Sequence, residues 1–384
     1  MPKTKIVIIM AGETSGDMHG AKLVKAMLAK NPKLTFYGMG GEALQSAGVK
    51  KIIDASQISI VGIAEIFSKI FQIIKIYRKA KKLLKKIRPD LLILIDFPEF
   101  NLALAKTAKK LGIPILYYIS PQIWAWRSGR VKKIKKLVNH IAVILPFEEK
   151  FYKKHNIPAT YVGHPLLDTN KKFTNKIEEK IITIGLIPGS REKEITNNLP
   201  AILKACEILG AKNKKTKFVY AMAPGLNINN ISTLIKENTK TVKIQIEKNG
   251  IEKVLEKSNF VIAGSGTATL QTALFSVPMV VIYKTSKISY NIAKKLINVD
   301  YISLVNLIAG EKIVPELIQD EATPYNIAAE AEKILNNPQR LQKTKEKLLS
   351  LQRLIGEKGA SQKVSEIAFE IMEEKEIFPP LYFA

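Results

Sequence analysis

Short apolar runs recur along this chain, and each is followed by roughly 10–20 residues with helical spacing of apolar positions. Lys5 to Met10 reads as a buried strand. It runs into Ala11-Gly12-Glu13-Thr14-Ser15-Gly16-Asp17 and a helix from about Met18 to Lys30. Strand Leu34 to Tyr37 leads into the glycine turn Gly38-Met39-Gly40-Gly41. Leu91 to Ile95, Ile113 to Ile119 and His140 to Leu145 are further strands, the first ending at Asp96. The pattern then restarts. Ile181 to Ile187 ends in Pro188-Gly189-Ser190-Arg191, and strands follow at Lys217 to Ala221, Lys243 to Ile246, Phe260 to Ala263 and Met279 to Tyr283. From about Ala328 the chain is helical and amphipathic.

Strands alternating with helices predict parallel sheets built from βαβ units. The expected fold class is α/β, with two Rossmann-like doubly wound domains facing across a cleft and C-terminal helices. The boundaries read as 1–167 for an acceptor- and membrane-facing domain, 168–180 for a polar linker, and 181–345 for a nucleotide-sugar domain. Residues 346–384 form a helical segment that has the option of crossing back to the first domain. Ligands of such sheets bind beyond the carboxyl ends of the strands. Gly12 to Asp17, Asp96 to Asn101, Gly189 to Arg191 and Gly264 to Thr269 all fall there.

Composition sharpens this picture in three ways. A chain of 384 residues, 46% hydrophobic and 24% charged, is an ordinary globular protein with ample core. A single cysteine, Cys206, excludes an internal disulfide framework. The leader Met1 to Met10 is too short for a signal peptide, and the uncharged stretch Ser258 to Tyr283 holds Gly264, Gly266 and Pro278, so it reads as strand, loop, helix, strand. The net charge of +26 is uneven. Residues 1–165 carry 29 Lys and Arg against 10 Asp and Glu, which leaves +7 for the rest. The first half therefore faces an anionic partner, unless lysine merely solvates its helices.

The segment Ile58 to Arg88 joins both signals. Ile60, Val61, Ile63, Ile66, Phe67, Ile70 and Phe71 exceed what one core-facing stripe needs, and nine basic residues with no acidic one follow from Ile66 to Pro89. Such a helix suits the interface of an anionic bilayer. A core helix continued by a solvated basic one fits the same residues.

Four motifs carry candidate chemistry. Pro188-Gly189-Ser190-Arg191 offers backbone N–H groups and a guanidinium to a phosphate. Gly264-Ser265-Gly266-Thr267-Ala268-Thr269 opens a helix whose free N–H groups suit a diphosphate, although a plain helix start looks the same. Asp96 directly ends a buried strand and can accept a proton from an attacking hydroxyl, whereas Glu99 falls in the next helix's first turn. Trp124 and Trp126 lead into the basic stretch Arg127 to Lys136, at a cleft edge or in the core. Metal chemistry finds no support: the four histidines are scattered and no Asp-x-Asp occurs. No G-x-S-x-G elbow is present. Aromatics are not interleaved with the basic runs, which argues against nucleic acid as the partner.

Taken together, eight blocks in order make the chain resemble the lipid-A-disaccharide synthases. They are residues 11–17, 95–101, 120–127, 145–148, 162–165, 188–191, 265–270 and 303–307. The resemblance implies a GT-B fold and an inverting, metal-independent transfer with no cofactor. UDP-2,3-diacylglucosamine would be condensed with 2,3-diacylglucosamine 1-phosphate to the β-1,6-linked disaccharide 1-phosphate and UDP. It implies a peripheral enzyme on the cytoplasmic face of the inner membrane, with a homodimer left open. By position, Asp96 is the general base. Ser190, Arg191, Gly264, Ser265, Gly266, Thr267, Thr269, Gln271 and Asn306 are expected near the nucleotide-sugar, and Glu13, Ser15, Asp17 and Asn101 at the acceptor cleft. The segment Ile60 to Ile76 is expected to meet acyl chains or membrane. Two departures stand out: Gln271 replaces a glutamate usual in relatives, and Leu304-Val305-Asn306 replaces Leu-Pro-Asn. A UDP-GlcNAc 2-epimerase is the alternative within the fold class. A non-catalytic nucleic-acid binder is the alternative outside it.

Overall fold

A computed structural model describes residues 4–55, 66–124, 129–168, 181–287, 290–291, 294 and 299–377, of which 66–70 and 375–377 as backbone. The chain forms two compact units, Met1–Thr169 with Glu357–Ala384, and Asn170–Gly356. Each is a parallel sheet with helices on both faces.

The first unit has seven strands: β1 (Ile6–Ala11), β2 (Thr35–Gly40), β3 (Lys50–Asp54), β4 (Leu91–Ile95), β5 (Ile115–Tyr118), β6 (His140–Val143) and β7 (Ala159–Tyr161). Their order is β3-β2-β1-β4-β5-β6-β7, all parallel. The order reverses between β1 and β4, so the two loops that open there are Gly12 to Asp17 and Asp96 to Asn101. Successive strand residues face opposite sides, so β1 and β4 supply two cores. Ile8, Met10, Leu92 and Leu94 pack against α3 (Ile66–Ile87), α4 (Pro98–Lys110) and α5 (Arg130–Leu137). Val7, Ile9, Leu91 and Ile93 pack against α1 (Thr14–Lys30), α2 (Glu42–Ser46) and the last helix, α14 (Ala360–Ile377).

Asp168 joins that last helix to the first unit. Its carboxylate accepts the N–H groups of Gly359 and Ala360, at 2.8 and 3.0 Å, and the N–H and hydroxyl of Ser361, at 2.8 and 2.6 Å. These donors outweigh burial and hold its pKa below the usual aspartate range. The C-terminal helix thus belongs to the first unit, while α12 (Pro324–Leu335) and α13 (Pro338–Leu354) belong to the second.

The second unit has six strands: β8 (Ile182–Ile187), β9 (Thr216–Ala221), β10 (Ile244–Glu247), β11 (Phe260–Gly264), β12 (Met279–Tyr283) and β13 (Glu316–Ile318). They run β10-β9-β8-β11-β12-β13, again parallel. Here the reversal lies between β8 and β11, which opens the loops at Pro188 and Ser265. Helices α6 (Pro146–Lys154), α7 (Glu192–Lys212), α8 (Ile228–Asn238), α9 (Ile251–Leu255), α10 (Thr267–Leu274) and α11 (Leu304–Ala309) complete the two units, α6 in the first and the others in the second.

In helix α3 the core stripe is Ile76, Ala80 and Leu84, spaced by one helical turn. Phe71, Ile73 and Ile74 stand outside it and are exposed, Phe71 to 75%. Ile60, Val61 and Ile63 lie outside the described residues, as do Trp126 and the linker from residue 169 to 180, and of Ile66, Phe67 and Ile70 the helical backbone alone is described. Among the described residues no helix is long and apolar enough to cross a membrane.

Candidate active site

In the first unit the reversal point is built on strained backbone. Asp96 and Phe97 are both left-handed, at φ 48° and 46°, and Ile119 at the end of β5 stands at 57°. Such conformations cost non-glycine residues about 1–3 kcal/mol each and persist only where their surroundings impose them. The surroundings here are specific. The Asp96 carbonyl accepts the Tyr117 hydroxyl and the Asn101 amide, both at 2.7 Å. Asn101 also donates to the Ile95 carbonyl at 3.1 Å, and the Asp96 amide donates to the Ile119 carbonyl at 3.2 Å. Burial, reinforced by the Asp96 charge, pushes the Tyr117 phenol well up, so it remains a donor. Gly12 lies against this turn: a Cβ there would meet the Phe97 ring at 2.5 Å. The Asp96 side chain is held half-exposed at the carboxyl edge, beside the start of α1 with exposed Thr14 and Ser15 and half-buried Glu13.

Two residues expected at the acceptor cleft are taken up by the fold. Asp17 is 6% exposed and accepts the N–H groups of Gly41, Ala43 and Leu44, so it caps α2. Asn101 is fully buried and serves the Asp96 turn.

In the second unit the two loops touch. A Cβ on Gly264 would meet the Pro188 carbonyl oxygen at 2.5 Å, and the buried Asn198 donates to that carbonyl at 2.8 Å. The Ser190 and Arg191 amides donate to Glu194 Oε2, at 3.0 and 3.4 Å, and the Arg191 guanidinium donates to Glu194 Oε1 at 3.1 Å. A carboxylate of the chain itself therefore occupies the turn that reads as a phosphate cradle, with Arg191 exposed beside it. Gly266 starts α10 at φ 148°, in open space, and Gly266 and Thr267 are exposed. Helix starts of this kind present N–H groups and a positive dipole end. Ser265 spends its hydroxyl on the Ile302 carbonyl, at 2.9 Å, and Gln271 sits half-buried one turn into the helix.

Thr269 and Asn306, expected near the nucleotide-sugar, have their polar atoms bonded inside the unit. Thr269 is buried and donates to the Gly266 carbonyl at 2.8 Å. Asn306 is fully buried; it donates to the Val314 carbonyl and Glu316, and accepts from the Ile313 and Val314 amides. It organises the loop before β13 and has no polar atom left for a ligand.

Two features were missed in the sequence. Met222 to Leu226, Ile228 and Lys248 to Gly250 line a hollow of about 500 Å³ at the carboxyl ends of β9 and β10. Consecutive small residues after two mixed strands gave too weak a signal to find it. The other is the burial of Glu148, a carboxylate 2% exposed: block 145–148 counts toward the resemblance, but its Leu145-Pro146-Phe147 lead-in resembles any helix start. Among the described residues no group of three or more His, Cys, Asp or Glu is placed to hold a metal ion.

Residues 7–372 match the family model described as lipid-A-disaccharide synthetase. The lipid-A-disaccharide synthase of Geobacter metallireducens is 41% identical over 97% of this chain and 98% of its own. That of Syntrophus aciditrophicus is also 41% identical, over 97% and 99%. Among solved structures, the UDP-GlcNAc 2-epimerase of Neisseria meningitidis bound to UDP-GlcNAc aligns with a TM-score of 0.65, over 95% of this chain and 99% of that one. At 14% identity that likeness is one of fold.

Proposed function

The chain belongs to the lipid-A-disaccharide synthetase family, and we propose that Asp96 is the general base with which it joins the two sugars. The enzyme is a hexosyltransferase that condenses UDP-2,3-diacylglucosamine with 2,3-diacylglucosamine 1-phosphate, releasing UDP. The acceptor's 6-hydroxyl oxygen forms the new bond to the donor's anomeric carbon. The bond from that carbon to the diphosphate breaks on the opposite side, and UDP leaves with the electron pair. Asp96 takes the hydroxyl proton. The observation that carries this reading is the left-handed Asp96-Phe97 turn, strapped by Asn101 and Tyr117 at the reversal point of the first sheet.

Negative charge grows on the leaving diphosphate, so donors aimed there lower the barrier. The second unit offers the Arg191 guanidinium and the start of α10. Its carboxyl edge runs from Lys248–Gly250 through Met222–Leu226 and Pro188–Arg191 to Ser265–Thr267, following strand order. A nucleoside diphosphate laid along it would put its base in the hollow and its phosphates at the β8 and β11 loops.

The membrane is read from the first unit. Helices α3, α4 and α5 share one face of its sheet and carry 16 Lys and Arg against the single acid Glu99. Phe71, Ile73 and Ile74 add exposed apolar surface at the start of that layer. Basic and apolar groups on one face suit the anionic cytoplasmic leaflet of the inner membrane, where the acylated substrates reside.

Asp96→Asn keeps the side chain's size and removes its basicity. Turnover of the two acylated sugars in mixed micelles with EDTA should fall at least about 100-fold, with UDP affinity unchanged. Full turnover in Asp96→Asn sinks the assignment.

A further inference from the structure

Glu148, 2% exposed, is a buried carboxylate of the first unit that the reaction does not use. Glu148 Oε2 accepts the Leu145 and Ile144 amides, at 3.0 and 3.2 Å, as the first turn of α6 requires. Its Oε1 accepts the Trp124 indole N–H at 3.0 Å. The Trp124 ring stands edge-on to Phe147, with centroids 4.8 Å apart. Capping alone needs no such group, since a short exposed Ser or Asp does it without burying a carboxylate. Something must offset that burial, and what the extra oxygen secures is the segment after β5.

That segment, Ser120 to Trp124, is fastened to α6 at three points. Ser120 Oγ and the Tyr152 hydroxyl are 2.9 Å apart, Tyr152 donates to the Pro121 carbonyl at 3.3 Å, and Trp124 donates to Glu148. The segment begins at left-handed Ile119, whose carbonyl receives the Asp96 amide. We propose that Glu148 is a positioning residue: through Trp124 it holds the 120–124 segment, and with it the Asp96 turn, in working register. The proposal rests on Asp96 being the base.

Among the described residues the titratable groups that face Glu148 are Tyr152 and Tyr161, and burial raises both phenols, Tyr161 to about 12. Neither brings a positive charge. Burial accordingly pushes the Glu148 carboxyl up to about 7, against the pull of its three N–H donors. Protonation weakens it as an acceptor, so the fastening loosens as pH falls through that range.

The chain has two tryptophans, Trp124 in this segment and Trp126 two residues further along the sequence, so selectively excited tryptophan emission reports on Trp124 with one other tryptophan in the signal. Wild-type emission should titrate with a midpoint near pH 7. Glu148→Gln keeps an acceptor oxygen but cannot titrate, and its emission should be flat from about pH 5.5 to 8.5. Trp124→Phe keeps the ring against Phe147 and deletes the N–H. Its kcat should fall about tenfold, with KM for the UDP-sugar within about twofold of wild type. A pH-independent wild-type emission, or wild-type kcat in Trp124→Phe, overturns the proposal, and the second readout stands even if Glu148→Gln fails to fold. Asp96→Asn run in parallel separates the two claims: full turnover there removes the base, whereas the fluorescence titration tests the fastening whatever the base is.

Discussion

Asn101→Ala is the sharpest test of the strained turn. The substitution removes two hydrogen bonds, to the Ile95 and Asp96 carbonyls, from a side chain that is fully buried. Each buried carbonyl left short of a partner costs about 1 kcal/mol or more, and the vacated amide adds a small cavity. Partial relaxation of Asp96 and Phe97 out of the left-handed region releases some of their strain and offsets part of the loss. The net destabilisation should therefore be modest, about 1–3 kcal/mol, which for a unit of this size lowers Tm by roughly 2–12 °C. The effect on rate should be larger. A turn free to relax displaces the Asp96 carboxylate by about 1 Å, which is worth up to about 100-fold in turnover. Differential scanning calorimetry and steady-state kinetics on the same preparation measure both. Tyr117→Phe, which deletes one of the two donors to the Asp96 carbonyl, should give a smaller version of the same pattern. The reasoning fails if Asn101→Ala loses stability as stated but keeps wild-type kcat.

Two further outcomes follow from the first unit. Asp168→Ala strips the start of α14 of its cap and should cost about 1–2 kcal/mol in unfolding free energy, read by urea titration, with KM for the UDP-sugar unchanged. The pH dependence of stability carries opposed contributions. Glu148, raised from 4.5 to about 7, stabilises below pH 4.5, and its contribution is lost as pH rises through 7. His19 and His164, lowered by burial from 6.5 to about 4 and about 3, stabilise above pH 6.5, and theirs is lost as pH falls below it. Near pH 5.5 the histidines outweigh the glutamate, so stability rises with pH. Glu148→Gln should roughly double that slope in thermal unfolding followed by circular dichroism, and an unchanged slope would show that Glu148 does not titrate there.

The central strands and the polar loops that follow them were legible because each such strand is an unbroken apolar run that gives way to an unusual polar or small-residue stretch. The place of Asp96 just past a buried strand was legible for the same reason: β4 is Leu-Leu-Ile-Leu-Ile and stops there. The edge strands at Lys50–Asp54, Ala159–Tyr161 and Glu316–Ile318 were not, since three to five mixed residues carry no periodicity. Helix α1 begins at Thr14, four residues before the predicted Met18, because Gly16 and Asp17 read as loop while the helix uses both on its buried side. Partners distant in sequence account for the rest. Asp17 finds its N–H groups 24 to 27 residues later, and Asn306 meets Val314 and Glu316 through a loop that sequence spacing does not close. A polar residue in a motif looks the same whether it serves a ligand or a neighbouring backbone, and only the fold separates the two.

The return of α14 to the first unit has a consequence for how the protein is made. Val364, Ile367, Ala368, Ile371 and Met372 complete the core beneath β1, β4 and β5, yet they emerge from the ribosome only after residues 170–356. Residues 170–356 form a contiguous unit that can close as soon as it is synthesised, while the earlier-born sheet waits with one apolar face bare. The nascent chain therefore finishes its second unit before its first, and during that interval the uncovered face is a binding surface for chaperones and a site for aggregation.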